Sequence, residues 1–576
     1  MKKTQGHKRN IPQKIIQPEK IALSYREMAS LWLYSDPGPR RAIPVLAILT
    51  MALLIPFSGK AFHVDDTLFL KAAHQIIIHP LDPYGFSVNW YLRDMPMADV
   101  MKNPPLASYY IAAIATLFGW SEAVLHLAFL PFAVGVILGI YTLARRFVVP
   151  PVLAALAFLL SPFFLVSSTN IMCDTMMLAL FIWAIVMWVD GIKGDSTLRL
   201  MSAIVLATLA ILTKYFALSV LPLMLAYAIM QRRRIILPIL TLMLPIVVLI
   251  AYQHYTADLY GHGLLSDAAE YANLNRWTGG SVVFGKIIVG LGFVGGALPC
   301  IFLLGPRFVR PYLRVGVALF ALTAAFLIIW GVVPTGSAPI SDSYRPLLAI
   351  ELAFLIDMGI IILSLLVTAW RPRIDPDVML LCLWVLGTFV FGCLINWSIN
   401  ARSLMPLGPP AAILMARRLT AHGTPSVQWT TASFIIAALL SITVCWGDYC
   451  LAGSAREAAA RVLNMPRSND VTVWFQGHWG FQYYMEEGGA KAIDVKRSRV
   501  LPGDIIVIPY NNTNIFDINP KLAYPEECIL LPASRWVTTR YYQLGAGFYS
   551  HVFGPLPFAF ERVPLERYDI LKFRYP

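Results

Sequence analysis

Long apolar runs separated by short polar turns make up most of this chain. From Ala42 to Gly447 the runs recur, and most are long enough to cross the ~30 Å hydrocarbon core of a bilayer as helices. A membrane β-barrel would instead show alternating segments of about ten residues. The pattern therefore predicts an all-α polytopic membrane protein.

The turns divide this region into about thirteen predicted transmembrane helices. Pro104–Gly119 is apolar but short, so we expect it to be an interfacial helix within a long first outer loop, residues 59–121. The predicted spans are Ala42–Phe57, Ala123–Leu143, Val152–Val166, Thr175–Val189, Leu200–Leu212, Ala217–Met230, Ile235–Tyr252, Val282–Leu304, Val315–Val333, Leu347–Val367, Val378–Ile395, Leu404–Met415 and Ala432–Gly447.

Arginine pairs and triplets fall at nearly every second turn, which predicts the orientation of the chain. Basic residues concentrate in cytoplasmic turns, so the N-terminus is expected inside and the first long loop outside. The net charge of +13 then faces the cytoplasm and anionic headgroups, and no nucleic-acid partner is expected. The basic turns are Arg40–Arg41, Arg145–Arg146, Arg232–Arg234, Arg371 with Arg373, and Arg417–Arg418.

The composition changes after Leu451, where periodic apolar helices stop. The stretches VTVWFQG, DIIVIP, CILLP and DILKFRY have the apolar, β-branched character of short strands, and WGFQYYMEE between them is helical in pattern. We predict three parts: a basic cytoplasmic segment (1–41), a transmembrane domain (42–450) and a small extracytoplasmic α/β domain (451–576).

Two adjacent carboxylates, Asp65 and Asp66, follow the first span at the predicted outer face. A carboxylate can take a proton from an attacking hydroxyl group as general base, and a neighbouring carboxylate can tune its pKa or hold a metal ion. An aspartate before TLFLKAAHQ also suits a helix N-cap. We expect these two residues to be catalytic, with Asp65 as the base.

Other charged residues lie in or beside turns on the same predicted face. Such groups cost free energy near the membrane, about 2.5–3.5 kcal/mol each at mid-bilayer, and so tend to be kept for a function. Arginine suits phosphate because its planar fork matches the phosphate oxygens. Ordinary headgroup contact is the alternative for Lys214, Arg345 and Arg402, and an N-cap is the alternative for Asp174. These four are the predicted donor-phosphate or substrate-binding residues.

No metal, nucleotide or disulfide motif stands out. Seven cysteines lie mostly inside apolar runs without a CxxC pair, and whether Cys450 and Cys528 pair is left open. His63, His254 and His262 lack ligand spacing, so no metal site is predicted, although a divalent metal at the carboxylates stays open. Gly290–Gly295 fits GxGxxG inside an apolar run, where the small residues favour close helix packing over a dinucleotide site.

The order of motifs resembles that of the GT-C glycosyltransferases. After the carboxylate pair come PPL, FGWSEAVLHL leading to ARRF, SPFF before Asp174, TKYF, and NARSLMPLGPPAAILMARRL. The most similar branch is that of the protein O-mannosyltransferases and the lipid A aminoarabinose transferase. The resemblance extends over about Ala42–Thr420 and depends on the order and membrane side of the motifs.

This resemblance implies transfer of a sugar from a polyprenyl phosphate to an acceptor outside the membrane. The family's acidic base falls on Asp65, with Asp66 at a position that is usually Glu, and its later Asp and Arg match Asp174 and Arg402. The Lys of the family's KPPL motif is Asn103 here, with Lys102 one position earlier, so both are candidate donor-binding residues.

Two functions therefore remain. The first is a transferase acting on a lipid, glycan or protein acceptor in a bacterial inner membrane, and the second is a non-enzymatic flippase or transporter of a lipid-linked sugar. A transporter would favour similar halves and mid-span charges, whereas the charges here collect at one face.

Overall fold

A computed structural model of the protein describes residues 25–231, 236–276, 279–369, 375–421, 423–468 and 470–574. Helices dominate up to Leu463, as the apolar runs predict. Those of eight or more residues in this part are Tyr25–Tyr34, Pro39–Leu54, Asp66–Ile78, Leu106–Phe118, Glu122–Arg146, Pro151–Leu159, Cys173–Gly194, Thr197–Thr213, Val220–Gln231, Met243–Tyr260, Leu264–Leu274, Gly280–Ala297, Pro311–Ile329, Arg345–Ala369, Pro376–Val390, Gly408–Ala421 and Val427–Leu463.

The described residues contain nine helices that are long and apolar enough to cross a membrane, so the predicted polytopic helical fold is confirmed. A tenth span arises if Pro151–Leu159 and Pro162–Ser168, which meet at 65°, count as one broken helix. Three predicted spans are shorter helices. One of them, Thr197–Thr213, has 17 residues and extends only about 25 Å. It falls short of a ~30 Å core.

Ion pairs join the turns at one end of the helical bundle. Asp174 and Asp190 lie in the same helix, Cys173–Gly194, and 16 residues separate them by about 24 Å. Asp190 therefore belongs to the end opposite Asp174. Arg232–Arg234, Arg371 and Arg373 lie outside the described residues. The pairs at the Asp190 end are Arg145–Asp36, Arg146–Asp190, Lys193–Asp377 and Arg417–Asp375.

The glycine-rich run Gly290–Gly295 packs against the helix Arg345–Ala369. A Cβ atom at Gly295 would lie 1.9 Å from the backbone oxygen of Leu355, and one at Gly359 would lie 2.0 Å from that of Leu291. Only residues without a side chain allow the two backbones to approach so closely. The interpretation of this run as a helix-packing motif is confirmed.

A five-stranded sheet follows the last long helix, and its strands include the four predicted from the sequence. Val473–Phe475 pairs in parallel with both of its neighbours, and the remaining pairs are antiparallel. The helix predicted for WGFQYYMEE is present as Trp479–Glu487. Across the sheet the order is Lys491–Ala492, Val473–Phe475, Ile505–Pro509, Glu566–Phe573 and Ala523–Leu531.

Three short two-stranded sheets complete the strand pairing among the described residues. Ser87–Trp90 pairs with Arg93–Pro96 within residues 59–121, the predicted first outer loop. The other two join segments of the C-terminal region: Val537–Thr538 with Ala559–Phe560, and Arg540–Tyr541 with Ala546–Gly547.

The C-terminal region is continuous with the helical bundle in two ways. The helix Val427–Leu463 runs through the predicted domain boundary at 450/451. Val537, Phe548 and Phe558 are buried in the same hydrophobic core as the membrane helices. The predicted division into domains stays a prediction, and any boundary has to allow for this shared core.

Candidate active site

A strained turn presents Asp65 and Asp66 in different environments. Val64 has φ +47°, which is rare for a β-branched residue and costs about 1–2 kcal/mol. Asp65 stands at the N-cap position of Asp66–Ile78 but makes no side-chain capping hydrogen bond. Its side chain is 32% exposed. The capping alternative therefore does not explain Asp65.

Asp66 is buried and holds two loops together. Its carboxylate accepts hydrogen bonds from the backbone N–H groups of His63 and Ile171, each at 2.9 Å. Burial raises the pKa of Asp66 to about 7. With both oxygens occupied by backbone donors, Asp66 positions its neighbour Asp65 beside the segment that leads to Asp174.

Arg402 connects Asp65 to Asp174. Its Nη2 lies 3.0 Å from Oδ2 of Asp65, and its Nη1 lies 3.6 Å from Oδ2 of Asp174. The Asn400 side chain caps the short helix Ala401–Leu404 by accepting from the Ser403 N–H at 2.8 Å, which sets the direction of Arg402. The guanidinium also lies 5.5 Å from the centre of the Tyr549 ring.

Lys214 completes a four-residue cluster. Asp174 lies in the first turn of the helix Cys173–Gly194, where the positive end of the helix dipole favours a carboxylate. Lys214 follows the end of Thr197–Thr213 and places its Nζ 2.5 Å from Oδ1 of Asp174. Asp174 is 1% exposed, so its charge is held between two cations.

The cluster carries two carboxylates and two cations, so its formal charges cancel. Asp65 has the most exposed side chain of the four, and Asp174 is closed off. Because a general base must reach the hydroxyl group that it deprotonates, Asp65 is the carboxylate placed to act on a substrate.

Three other predicted residues do not contact this cluster. Lys102 forms an ion pair with Asp267, and its Nζ lies 5.2 Å from the centre of the Tyr271 ring. The backbone oxygen of Asn103 accepts a hydrogen bond from the Tyr84 hydroxyl at 2.8 Å. Arg345 forms a local pair with Asp342 at 3.0 Å.

The Tyr271 ring that Lys102 covers interacts electrostatically with Asp65, whereas Arg345 belongs to a separate turn. Burial raises the pKa of Tyr271, and the nearby phenol of Tyr91 and carboxylate of Asp65 add to that rise. The Tyr271 ring, which Lys102 covers, is therefore within electrostatic range of Asp65.

A second buried network lies behind the cluster, and none of its residues was predicted from the sequence. Lys60 is fully buried and donates to Asp448 at 2.5 Å and to Asn170 at 2.6 Å. Asp448 also accepts from the hydroxyl groups of Tyr549, at 2.8 Å, and Thr539, at 2.5 Å. The network thus ties the end of the first span to the C-terminal segment, and Tyr549 links it to Arg402.

The carboxylates of the cluster do not fit a metal site. Within the described part of the chain, no group of three or more His, Cys, Asp or Glu side chains is placed to hold a metal ion. Asp65 and Asp174 form ion pairs with Arg402 and Lys214. These positive charges would repel a divalent metal ion at the same carboxylate oxygens. All seven cysteines are free, including Cys450 and Cys528.

Residues 102–255 match the model of the dolichyl-phosphate-mannose-protein mannosyltransferase family. The resemblance to the GT-C glycosyltransferases is confirmed. The matched residues include Lys102, Asn103, Asp174 and Lys214, and the two ends of the chain lie outside the match. No curated protein matches the chain.

Several solved structures are similar to this chain at low sequence identity. ArnT from Cupriavidus metallidurans bound to undecaprenyl phosphate is 14% identical, with a TM-score of 0.42, and the alignment covers 81% of this chain and 92% of that one. AglB from Archaeoglobus fulgidus, in complex with an inhibitory peptide and a dolichol-phosphate, is 13% identical, with 78% and 64% covered and a TM-score of 0.45. The arabinofuranosyltransferase AftD from Mycobacteria is 11% identical, with 94% and 40% covered and a TM-score of 0.46.

Proposed function

We propose that this protein is a membrane glycosyltransferase that moves a sugar from a polyprenyl phosphate to an acceptor on the extracytoplasmic side. The main support for the proposal is one cluster that contains Asp65, Asp174, Lys214 and Arg402. These residues come from four distant parts of the chain, and their contacts unite a partly exposed carboxylate with fixed cations. The family match at residues 102–255 supports the same reaction class.

In the proposed reaction, an acceptor hydroxyl group attacks the anomeric carbon of the donor sugar. Its proton passes to the Asp65 carboxylate, the new glycosidic bond forms, and the bond between the anomeric carbon and the phosphate oxygen breaks. The polyprenyl phosphate leaves with the electron pair. A single displacement of this kind inverts the anomeric centre.

Cations at the site stabilise the leaving phosphate. Fixed positive charges aimed at developing negative charge lower the barrier without reorganisation during the reaction. Arg402 and Lys102 are proposed for this role, because one contacts Asp65 and the other covers the nearby Tyr271 ring. Asp174 and Lys214 keep Arg402 in place. We assign Arg345 no contact with the substrate.

The proposed orientation puts the N-terminus in the cytoplasm and the cluster and C-terminal sheet outside, in a bacterial inner membrane. Cys528 offers a native probe, because it is exposed whereas five of the seven cysteines are buried. A membrane-impermeant maleimide should label wild-type protein in spheroplasts, and a Cys528→Ser variant should lose that labelling. Labelling only after the membrane is opened would contradict the orientation.

Mass spectrometry of glycans and glycolipids tests the function. Cells with and without the gene should differ by one sugar on a surface molecule, and purified protein in vesicles should form that linkage from extracted polyprenyl-phosphate sugar. Movement of the lipid-linked sugar across the vesicle bilayer with no new glycosidic bond would instead support a flippase and contradict the proposal.

A further inference from the structure

Arg540 is a buried cation without an ion pair among the described residues. The residue is 4% exposed, and its Nε and Nη1 atoms have no hydrogen-bond partner in the described part of the chain. The guanidinium stacks 4.3 Å from the centre of the Trp479 ring. Arginine keeps its charge at any ordinary pH, so it cannot avoid the cost of burial by losing a proton.

A cavity adjoins this guanidinium, between the last long helix and the C-terminal sheet. Its lining includes His63, Ser454, Trp479, Asn511 and Glu566 together with Arg540. Lys60, the other buried cation of this region, is paired with Asp448, so the free charge belongs to Arg540 alone among the described residues around the cavity.

The acidic residue of the cavity is already engaged. Glu566 accepts a hydrogen bond from the Asn511 side chain at 2.8 Å and makes no ion pair with Arg540 in the described structure. Burial raises the pKa of Glu566 to about 7, and the positive charge of Arg540 works against that rise. The Nε and Nη1 atoms of Arg540 therefore have no carboxylate partner among the described residues of the cavity.

The backbone beside the cavity is strained. Trp479 has φ +63°, a conformation that non-glycine residues rarely adopt, and it directly follows His478 at the start of its helix. Such strain persists only where the surroundings enforce it, and it collects at ligand sites. Here the strained residue provides the ring on which Arg540 stacks.

We propose that Arg540 and this cavity bind a small inorganic anion of chloride size. The anion neutralises the buried guanidinium and ties the C-terminal region to the loop that contains His63, two residues before Asp65. The site is separate from the proposed transfer site, so it does not depend on the proposed function.

Anomalous diffraction and thermal unfolding test the site on the full-length protein. Crystals grown in bromide should show an anomalous peak within hydrogen-bond distance of the Arg540 guanidinium. In detergent at constant ionic strength, replacing gluconate by chloride should raise the Tm of the wild type, because a ligand that binds only the folded state stabilises it. Arg540→Gln should lose that rise.

Two further variants keep the test decisive if Arg540→Gln fails to fold. Arg540→Lys retains the charge and should retain part of the chloride effect. Arg535→Gln removes an exposed arginine from the same segment and should leave the chloride effect unchanged. Density for water alone in bromide crystals, or an equal chloride effect in Arg540→Gln, would overturn the proposal.

Discussion

The Arg402 guanidinium lies 3.0 Å from the Asp65 carboxylate although 337 residues separate them in the chain. Arg402 follows a capped turn near the end of the transmembrane region, and Asp65 follows a strained turn near its beginning. Each turn fixes its own side chain, and Asp174 is the third point of contact. The pair therefore depends on the packing of the whole helical bundle, not on a local motif.

Lys214 should control this pair indirectly. In Lys214→Met the buried Asp174 carboxylate loses its nearer cation and should draw Arg402 away from Asp65, so transfer should fall about tenfold. Adding Asp174→Asn removes the competing charge and should restore part of the activity. Residues in one ion-pair network commonly couple by about 0.5–3 kcal/mol.

Steady-state transfer rates of wild type, both single variants and the double variant measure this coupling. The double variant should be more active than Lys214→Met alone. If the two losses simply add, Lys214 does not act through Arg402.

Removal of one partner of the Lys60–Asp448 pair should destabilise the fold. Both side chains are fully buried, so Lys60→Met leaves an uncompensated carboxylate and should cost about 3–5 kcal/mol. The double variant Lys60→Met with Asp448→Leu should recover much of that loss. Thermal unfolding in detergent measures both effects.

An exposed pair provides the control for this measurement. Arg461 and Glu457 contact at 2.5 Å with both side chains 54% exposed, so Glu457→Gln should change stability by less than about 1 kcal/mol. Equal losses in Lys60→Met and Glu457→Gln would show that burial of the Lys60 pair has no special effect.

His63 should make the protein less stable in mild acid. Burial lowers the pKa of His63 to about 3, against about 6.5 in an unfolded chain. Between these values the unfolded state binds the proton and the folded state does not. The stabilising contribution of neutral His63 is therefore complete above pH 6.5 and is lost as the pH falls toward 3.

Unfolding measured from pH 7.5 to pH 5 in wild type and His63→Gln isolates this effect. Burial raises the pKa values of Asp66 and Glu566, whose contributions have the opposite slope but are common to both proteins. The wild type should lose more stability on acidification than the variant. Parallel curves would contradict the assignment.

Membrane sidedness explains why much of this site could be predicted. Asp65, Asp174, Lys214 and Arg402 all stand at ends of apolar runs that the arginine pattern places on one face, and the structure brings them together. Arg345 also stands at the end of an apolar run on the same predicted face, yet it pairs with Asp342 in its own turn. Predicted sidedness therefore assigns a residue to one membrane face but does not fix its lateral position at that face.

The Lys60 network shows what the pattern could not supply. The last predicted span ended at Gly447, one residue before Asp448, although a carboxylate inside a long apolar helix is itself a sign of function. Tyr549 and Thr539 come from irregular segments beyond that helix. No periodicity relates them to the bundle, because their contacts arise only from tertiary packing.

The most direct test of the central claim is complementation by Asp65→Asn in cells that lack the gene, with the surface glycans read by mass spectrometry. Asp94→Asn is the matched control, since Asp94 lies in the same loop in an exposed pair with Arg497. At equal membrane levels, Asp94→Asn should restore the missing sugar and Asp65→Asn should restore less than about 1% of it, the loss expected on removal of a general base. Full restoration by Asp65→Asn would contradict the account.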